Sequence, residues 1–288
     1  MPESKPAVSA PASAAAHAAE VSRGERFEFG KNWASFLGVL DESRIVNAQA
    51  SLVRMLGRDD LRGTRFLDAG SGSGLSSLVA RRLGAEVVSF DYDPSSVGCT
   101  TELRRRYFPG DTTWRIEQGS VLDEAYLDTL GLFDVVYSWG VIHHTGAMWS
   151  GLDLIARRVR PGGRLFVAIY NDQGTWSLRW RRIKKLYCSG PLGRMLVTGT
   201  VIPWWFLRMA ASDFVHGRNP LAMYREYGQR RGMSVLHDWI DWIGGYPFEF
   251  AMPEAILDFY LARGFRLVKL KTSRGTVGCN EYVFVRDP

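Results

Sequence analysis

The fold of this chain is decided by the sequence Phe66-Leu67-Asp68-Ala69-Gly70-Ser71-Gly72-Ser73-Gly74-Leu75. It leads from a short apolar stretch, Thr64–Ala69, through a glycine-rich turn into a helical pattern at Leu75–Leu83. Because glycine carries no Cβ atom, a GxGxG turn lets the backbone bend tightly and lets a ligand approach closely. A dinucleotide fingerprint, GxGxxG, would require glycine at position 75, where this chain has leucine. The turn therefore predicts a ligand-binding site, but it argues against a site that binds the pyrophosphate group of a dinucleotide.

Strand and helix patterns alternate on both sides of this turn. Apolar runs typical of buried strands are separated by patterns typical of helices, which indicates parallel βαβ units in a doubly wound sheet. Strands are predicted at 64–69, 86–92, 113–118, 133–138, 164–170, 265–272 and 280–285. The expected fold class is α/β, with a Rossmann-like, mostly parallel seven-stranded sheet.

The alternation stops between residues 171 and 250, where helical patterns dominate, and resumes at Pro253–Arg263. Residues 1–22 are mainly Ala, Pro and Ser and predict a disordered tail. We expect an N-terminal helical cap at 23–60, the ligand-binding core at 61–170, a helical insertion after strand five at 171–250, and a C-terminal part at 251–288 that completes the sheet. An insertion after the carboxyl end of a strand lies over the ligand crevice, so residues 171–250 are predicted to be a substrate cap.

The second predicted strand ends in Phe90-Asp91-Tyr92-Asp93, about 20 residues after the glycine turn. An acidic side chain at this position can accept hydrogen bonds from both hydroxyls of a ribose. Asp91 directly follows the apolar strand and is the better candidate. Asp93 precedes Pro94 and suits a helix N-cap.

The GxGxG turn preceded by Asp68 resembles motif I of the class I S-adenosylmethionine-dependent methyltransferases. Residues 118–123 and 134–144 resemble the loops after strands three and four in small-molecule members of the ubiquinone-biosynthesis type, and residues 160–165 resemble the turn before strand five. The resemblance implies that S-adenosylmethionine is the cofactor. It also implies a set of cofactor-binding residues: Asp68, Gly70, Ser71, Gly72, Gly74, Asp91, Tyr92, Ser120, Val121 and Trp139.

The resemblance implies transfer of a methyl group to an O or N atom, or a C atom, of a small molecule, with the methyl group near the end of strand four. His143 and His144 follow that strand, and histidine is the usual base near neutral pH. The hypothesis is that one of them deprotonates the acceptor; the alternative is that this stretch only begins a helix. Tyr246 is a third candidate catalytic residue.

Candidate substrate contacts come from three places in the sequence. Trp33 belongs to an aromatic cluster near the N-terminus, and Tyr170 and Asn171 end strand five at the crevice. His237 and Glu249 lie in the insertion. That stretch also holds two aspartates, but its spacing does not match a metal-ligand pattern, so no metal is expected.

The net charge of +6 is mildly basic, but the basic residues are scattered rather than arranged in a groove-binding stripe. Strand four also lacks the Asn/Asp-Pro-Pro-aromatic signature of methyltransferases that act on bases, so no nucleic-acid partner is predicted. The basic, aromatic stretch 176–187 and the apolar run 195–207 could contact a membrane surface or a lipid-linked substrate. A lid helix with a solvated face is the favoured interpretation.

Other functional classes remain open at this stage. They are a methyltransferase for a lipid-linked or macromolecular acceptor, a non-catalytic nucleotide-binding module on the same fold, and an NAD-dependent oxidoreductase, which Leu75 disfavours. The three cysteines, Cys99, Cys188 and Cys279, lie far apart without CxxC spacing, which fits a reducing cytoplasmic location.

Overall fold

The structure is a computed structural model, and it describes residues 14–215, 217, 235–275 and 278–288. The strands are β1 (Arg65–Ala69), β2 (Glu86–Asp91), β3 (Trp114–Gln118), β4 (Phe133–Trp139), β5 (Val159–Tyr170), β6 (Phe265–Lys271) and β7 (Cys279–Arg286). The helices are α1 (Ala14–Ser22), α2 (Gly30–Leu37), α3 (Glu42–Leu56), α4 (Leu75–Arg82), α5 (Pro94–Tyr107), α6 (Glu124–Leu130), α7 (Met148–Ala156), α8 (Thr175–Cys188), α9 (Pro191–Val215), α10 (Val235–Gly244) and α11 (Pro253–Leu261).

The strands form one seven-stranded sheet in the order β3-β2-β1-β4-β5-β7-β6. Neighbouring strands from β3 to β5 are parallel, and β7 runs antiparallel to both β5 and β6. The order reverses between β1 and β4, and open α/β sheets bind ligands at such a switch point. The predicted Rossmann-like, mostly parallel seven-stranded sheet is confirmed.

Two apolar layers cover the two faces of the sheet. One contains α6, α7 and α11, whose buried side chains include Leu127, Leu152 and Ile256. The other contains α3, α4 and α5, with Ile45, Leu78 and Leu103. Because both faces are buried, the central strands are apolar on both sides, which is why they read as continuous apolar runs in the sequence.

The predicted tail is wrong for residues 14–22, which form helix α1. Its alanines have high helix propensity, and tertiary contacts hold it in place. His17 is buried, its ring meets the Tyr92 ring edge-on at 5.5 Å, and its Nε2 lies 3.7 Å from Asp93 Oδ2. Residues 1–13 of the predicted tail lie outside the described residues.

Strand β5 begins at Val159, five residues before the predicted start. Val159 pairs with Phe133, and the register with β4 shifts before Arg164 pairs with Val135. The Pro161-Gly162-Gly163 turn signal therefore marks an irregularity inside the strand rather than its beginning.

Helices α8, α9 and α10 follow β5 and have an apolar cluster of their own. Buried Tyr187, Val197 and Ile243 come from the three helices, and Phe27 from the N-terminal region packs against them. Within the described residues, no helix combines the length and apolar character needed to cross a bilayer.

Candidate active site

The glycine turn lies between β1 and α4, and its conformation excludes other residues. Gly70 has φ +86°, and a Cβ atom there would lie 2.4 Å from Val141 Cγ1. Gly74 has φ +83°, and a Cβ atom there would lie 2.8 Å from Thr100 Cα. Both positions need the left-handed backbone that only glycine adopts without strain. The turn thus lies close to the segment after β4 and to helix α5.

Asp91 ends β2 directly beside this turn. Its Oδ2 accepts a hydrogen bond from the Gly72 N–H at 2.8 Å, and its Oδ1 accepts one from the Asp93 N–H at 2.9 Å. Burial raises the pKa of Asp91 to about 6, although these two hydrogen bonds partly offset the effect. The carboxylate is therefore held in one orientation, with lone pairs left over for a further donor.

Asp68 lies near the end of β1 and is almost fully buried beneath the turn. Its Oδ2 accepts a hydrogen bond from Ser77 Oγ at 2.5 Å, and Ser77 Oγ also lies 2.6 Å from Ser89 Oγ. Burial raises the pKa of Asp68 to about 7, and the nearby charge of Asp91 adds to the rise. The site thus contains one buried and one partly buried carboxyl group, and their charged forms are costly until a ligand compensates them.

A cavity of about 320 Å³ opens above these residues, within the size range of small-molecule sites. Nine of the ten residues predicted to bind the cofactor line it: Asp68, Gly70, Ser71, Gly72, Asp91, Tyr92, Ser120, Val121 and Trp139. The tenth, Gly74, does not line the cavity and instead packs against Thr100 of α5. The predicted substrate residue Trp33 is also in the cavity wall.

His144 lines the cavity on the side of the segment that follows β4. Its Nδ1 lies 2.6 Å from the Pro247 carbonyl, which fixes Nδ1 as the protonated nitrogen and leaves the Nε2 lone pair as an acceptor. Burial, together with the nearby Lys184 ammonium, lowers the pKa of His144 to about 3. His144 is therefore a neutral hydrogen-bond acceptor at physiological pH.

His143 is fully buried behind His144 and does not line the cavity. Its Nδ1 accepts a hydrogen bond from the Tyr170 N–H at 3.4 Å, and its ring centroid lies 4.1 Å from that of Tyr170. Burial lowers the pKa of His143 well below its ordinary value, and the neighbouring His144 contributes to this effect. The geometry supports a packing role for His143 and not the predicted contact with an acceptor.

Four other predicted residues do not line the cavity, and the contacts seen for them lie elsewhere. The Tyr170 ring packs against Phe248, with centroids 4.9 Å apart, and Asn171 Oδ1 accepts from Asn280 Nδ2 at 2.9 Å. The Tyr246 carbonyl accepts from the Phe27 N–H at 2.9 Å. The Glu249 carboxylate accepts from the Met148 N–H at 3.1 Å and so caps the start of α7. The side chain of His237 lies outside the described residues.

The sequence did not predict His17 and Arg26 as part of this site, yet both line the cavity. Arg26 donates from Nε to Glu20 Oε2 at 2.7 Å and from an Nη atom to the His144 carbonyl at 3.0 Å, and its guanidinium lies 4.8 Å from the centroid of the Tyr92 ring. It thereby joins α1, the end of β2 and the segment after β4. Phe27 and Phe29 also line the cavity, and the aromatic cluster at 27–36 was the sequence signal for them.

In the part of the chain that the structure describes, the histidine, cysteine and acidic side chains are not gathered around a common point. No group of three or more His, Cys, Asp or Glu side chains in those ranges is placed to hold a metal ion. The wall of the cavity is formed by carboxyl groups, the glycine turn and aromatic rings.

Comparisons with known proteins agree with this arrangement. Over 114 residues the chain is 33% identical to a ubiquinone biosynthesis O-methyltransferase of Sinorhizobium medicae, covering 40% of this chain and 44% of that protein. Over 114 residues it is also 35% identical to a protein of the same description from Xanthomonas oryzae pv. oryzae, covering 40% of this chain and 46% of that protein. The chain thus matches about half the length of these curated relatives or less.

Two solved structures share the fold. One is Burkholderia thailandensis 1,6-didemethyltoxoflavin-N1-methyltransferase with bound 1,6-didemethyltoxoflavin and S-adenosylhomocysteine, with a TM-score of 0.50, 16% identity, and coverage of 98% of this chain and 94% of that one. The other is magnesium protoporphyrin IX methyltransferase from Synechocystis PCC 6803 with bound S-adenosylhomocysteine, with a TM-score of 0.50, 14% identity, and coverage of 85% and 84%.

A family described as "Methyltransferase domain" matches residues 40–218, which is more than half of the chain and includes the glycine turn, Asp91 and the segment after β4. The chain belongs to this methyltransferase family.

Proposed function

We propose that the chain is an S-adenosylmethionine-dependent methyltransferase that methylates an O or N atom of a small-molecule acceptor in specialised metabolism, with a C atom as the alternative. The observation that carries this proposal is the position of Asp91, whose carboxylate is held by two backbone N–H groups beside the glycine turn in the cavity wall. An acidic side chain at this point is suited to accept from both ribose hydroxyls of a nucleoside.

The residues of the cavity fit the two ends of an adenosyl group. A Cβ atom at Gly70 would collide with the Val141 side chain, so glycine lets the turn pack closely against the segment after β4, and both Gly70 and Val141 line the cavity. Ser120, Val121 and Leu122 form an edge of the cavity suited to a flat base, and Asp91 lies between this edge and the turn. When bound, S-adenosylmethionine supplies an activated methyl group together with its leaving group.

The opposite end of the cavity is suited to the acceptor. The Phe29 ring lies there, with its centroid 4.9 Å from that of His144, while Trp33 lines the cavity beside Gly72 of the glycine turn. Aromatic faces such as these and that of Trp139 favour both a sulfonium cation and a flat apolar acceptor. We propose that His144 Nε2 accepts a hydrogen bond from the acceptor hydroxyl or amine and so directs its lone pair. With a pKa of about 3, His144 is a weak general base, but its neutral ring accepts a hydrogen bond throughout the physiological pH range.

Helices α8 to α10 are proposed to cap this end. Phe27 links them to the cavity, because its ring lines the wall and its centroid also lies 6.2 Å from that of Tyr187 of α8. A cytoplasmic location is proposed from the three free cysteines, which suit a reducing compartment.

The test is methyl transfer from labelled S-adenosylmethionine to a panel of phenols, catechols and aromatic amines. We expect turnover of at least one acceptor, loss of turnover in Asp91→Asn, and normal turnover in Glu86→Gln, a matched change at the exposed start of the same strand. Tight S-adenosylhomocysteine binding without turnover of any acceptor would instead favour a non-catalytic binding module.

A further inference from the structure

Helix α9 has apolar side chains on both of its faces. Its inner side chains, among them Val197, Val201 and Trp205, belong to the cluster shared with α8 and α10. The spacing of its exposed apolar side chains places most of them together on the opposite face. Those on this face are Leu192, Met195, Leu196, Leu207 and Phe214, with exposed fractions from 55% at Leu196 to 82% at Phe214. Trp204 and Val215 are also exposed, but their spacing places them on the side of Val197. A buried helix face does not require such a second apolar face.

The exposed face of the preceding helix, α8, is cationic. Arg179, Arg181, Arg182 and Lys185 are exposed there, and exposed Leu178 and Leu186 flank them in the sequence. Residues 173–212 contain seven Arg and Lys residues and no Asp or Glu. The net charge of the whole chain is only +6, so the positive charge is concentrated on this helix pair.

Both helices turn their inner faces to the same aromatic cluster. The Trp180 ring of α8 lies 4.2 Å from the Trp242 ring of α10 between centroids, and the Trp205 ring of α9 lies 5.2 Å from it. The outer faces of α8 and α9 consequently point away from this cluster. Helices α8 and α9 are packed neighbours, and we call the cationic outer face of α8 and the apolar outer face of α9 together the α8–α9 surface.

We propose that the α8–α9 surface binds an anionic membrane, with the apolar side chains of α9 entering the headgroup region and the cations of α8 contacting lipid phosphates. This combination of an exposed apolar helix face and Lys/Arg residues is that of a helix that lies in the membrane interface. A second copy of the chain fits less well, because pairing these surfaces would bring two cationic helices together without any acidic residue between 173 and 212. These exposed apolar side chains favour the proposal over the solvated lid helix that the sequence favoured.

The test is co-sedimentation of the full chain with vesicles of phosphatidylcholine alone and of phosphatidylcholine with one quarter phosphatidylglycerol. Binding to the anionic vesicles is expected, with much weaker binding to the neutral ones. The double variant Arg182→Gln/Lys185→Gln should weaken anionic binding by about 25-fold, since each cation near the surface contributes about fivefold. The double variant Leu196→Ser/Leu207→Ser should weaken it by roughly 100-fold, at about tenfold for each side chain withdrawn from the interface.

The matched control is Val46→Ser on α3, which is 54% exposed and distant in sequence from this helix pair. It should bind vesicles as the wild type does, and S-adenosylhomocysteine affinity should show that every variant is folded. The proposal is overturned if the wild type does not bind anionic vesicles, or if both double variants bind unchanged. It is also overturned if light scattering shows a dimer that Leu196→Ser/Leu207→Ser dissociates, because the surface would then join two copies.

Discussion

Replacing Asp68 by Asn should make the ligand-free protein more stable at alkaline pH. Burial raises the pKa of Asp68 to about 7, from an ordinary value of 3.8. A carboxyl group with a raised pKa in the folded state stabilises the fold at low pH, and this contribution is lost as the pH rises from about 4 to about 7. The difference between the two pKa values corresponds to about 4 kcal/mol, of which about 3 kcal/mol is lost between pH 5 and pH 8.

The assay is urea denaturation of the wild type and Asp68→Asn at pH 5 and pH 8. The free energy of unfolding of the wild type should fall by about 3 kcal/mol more than that of the variant across this interval. Asparagine keeps an oxygen that can accept from Ser77 Oγ, so the variant retains the local hydrogen bond. Asp134→Asn is the control, because it breaks the ion pair with Arg160 and should destabilise the protein at both pH values.

Equal pH dependence in the wild type and Asp68→Asn would refute this reasoning. It would mean that the carboxylate is solvated or paired in solution, and that its burial beneath the glycine turn is not as described.

Three further predictions concern the cavity and the glycine turn. Affinity for S-adenosylhomocysteine should fall by up to tenfold per pH unit as the pH drops below about 6, because protonation of Asp91 removes a hydrogen-bond acceptor for the ribose. Isothermal calorimetry across pH 4.5–8 measures this affinity, and an affinity that does not change with pH would contradict the prediction. His144→Ala should lower kcat by about tenfold, which corresponds to the loss of one hydrogen bond. The pH profile of the wild-type kcat should show no histidine ionisation between pH 5 and 8. An inflection near pH 6.5 that disappears in the variant would contradict this, because it would show that His144 is a base with an ordinary pKa. Gly74→Ala should lower the free energy of unfolding by about 1–3 kcal/mol because of its positive φ and the contact with Thr100, whereas an unchanged melting temperature would count against the turn geometry.

The sequence predicted those parts of the fold and site that depend on local pattern. The GxGxG turn, the apolar strands and the acidic end of β2 are short-range features, and the parallel arrangement brings strand ends to one edge of the sheet. That is why nine of the ten predicted cofactor residues line one cavity.

The residues that could not be predicted depend on contacts between distant segments. His17 lies 3.7 Å from Asp93 and Arg26 donates to the His144 carbonyl, and neither contact leaves a pattern in the sequence. The same reason explains the misplaced candidates. Tyr170 was predicted to face the crevice because it ends strand five. The position of a residue at a strand end does not fix the direction of its side chain, and the Tyr170 ring packs against His143. Glu249 was predicted to contact the substrate, but its carboxylate accepts a hydrogen bond from the Met148 N–H at the start of α7.

The most direct test of the central claim is calorimetric titration of the purified chain with S-adenosylhomocysteine and, separately, with NAD. We expect micromolar binding of S-adenosylhomocysteine to the wild type and to Glu86→Gln, at least a tenfold loss in Asp91→Asn, and no binding of NAD. Affinity for NAD, or S-adenosylhomocysteine binding that Asp91→Asn does not weaken, would contradict the assignment of this cavity as an S-adenosylmethionine site.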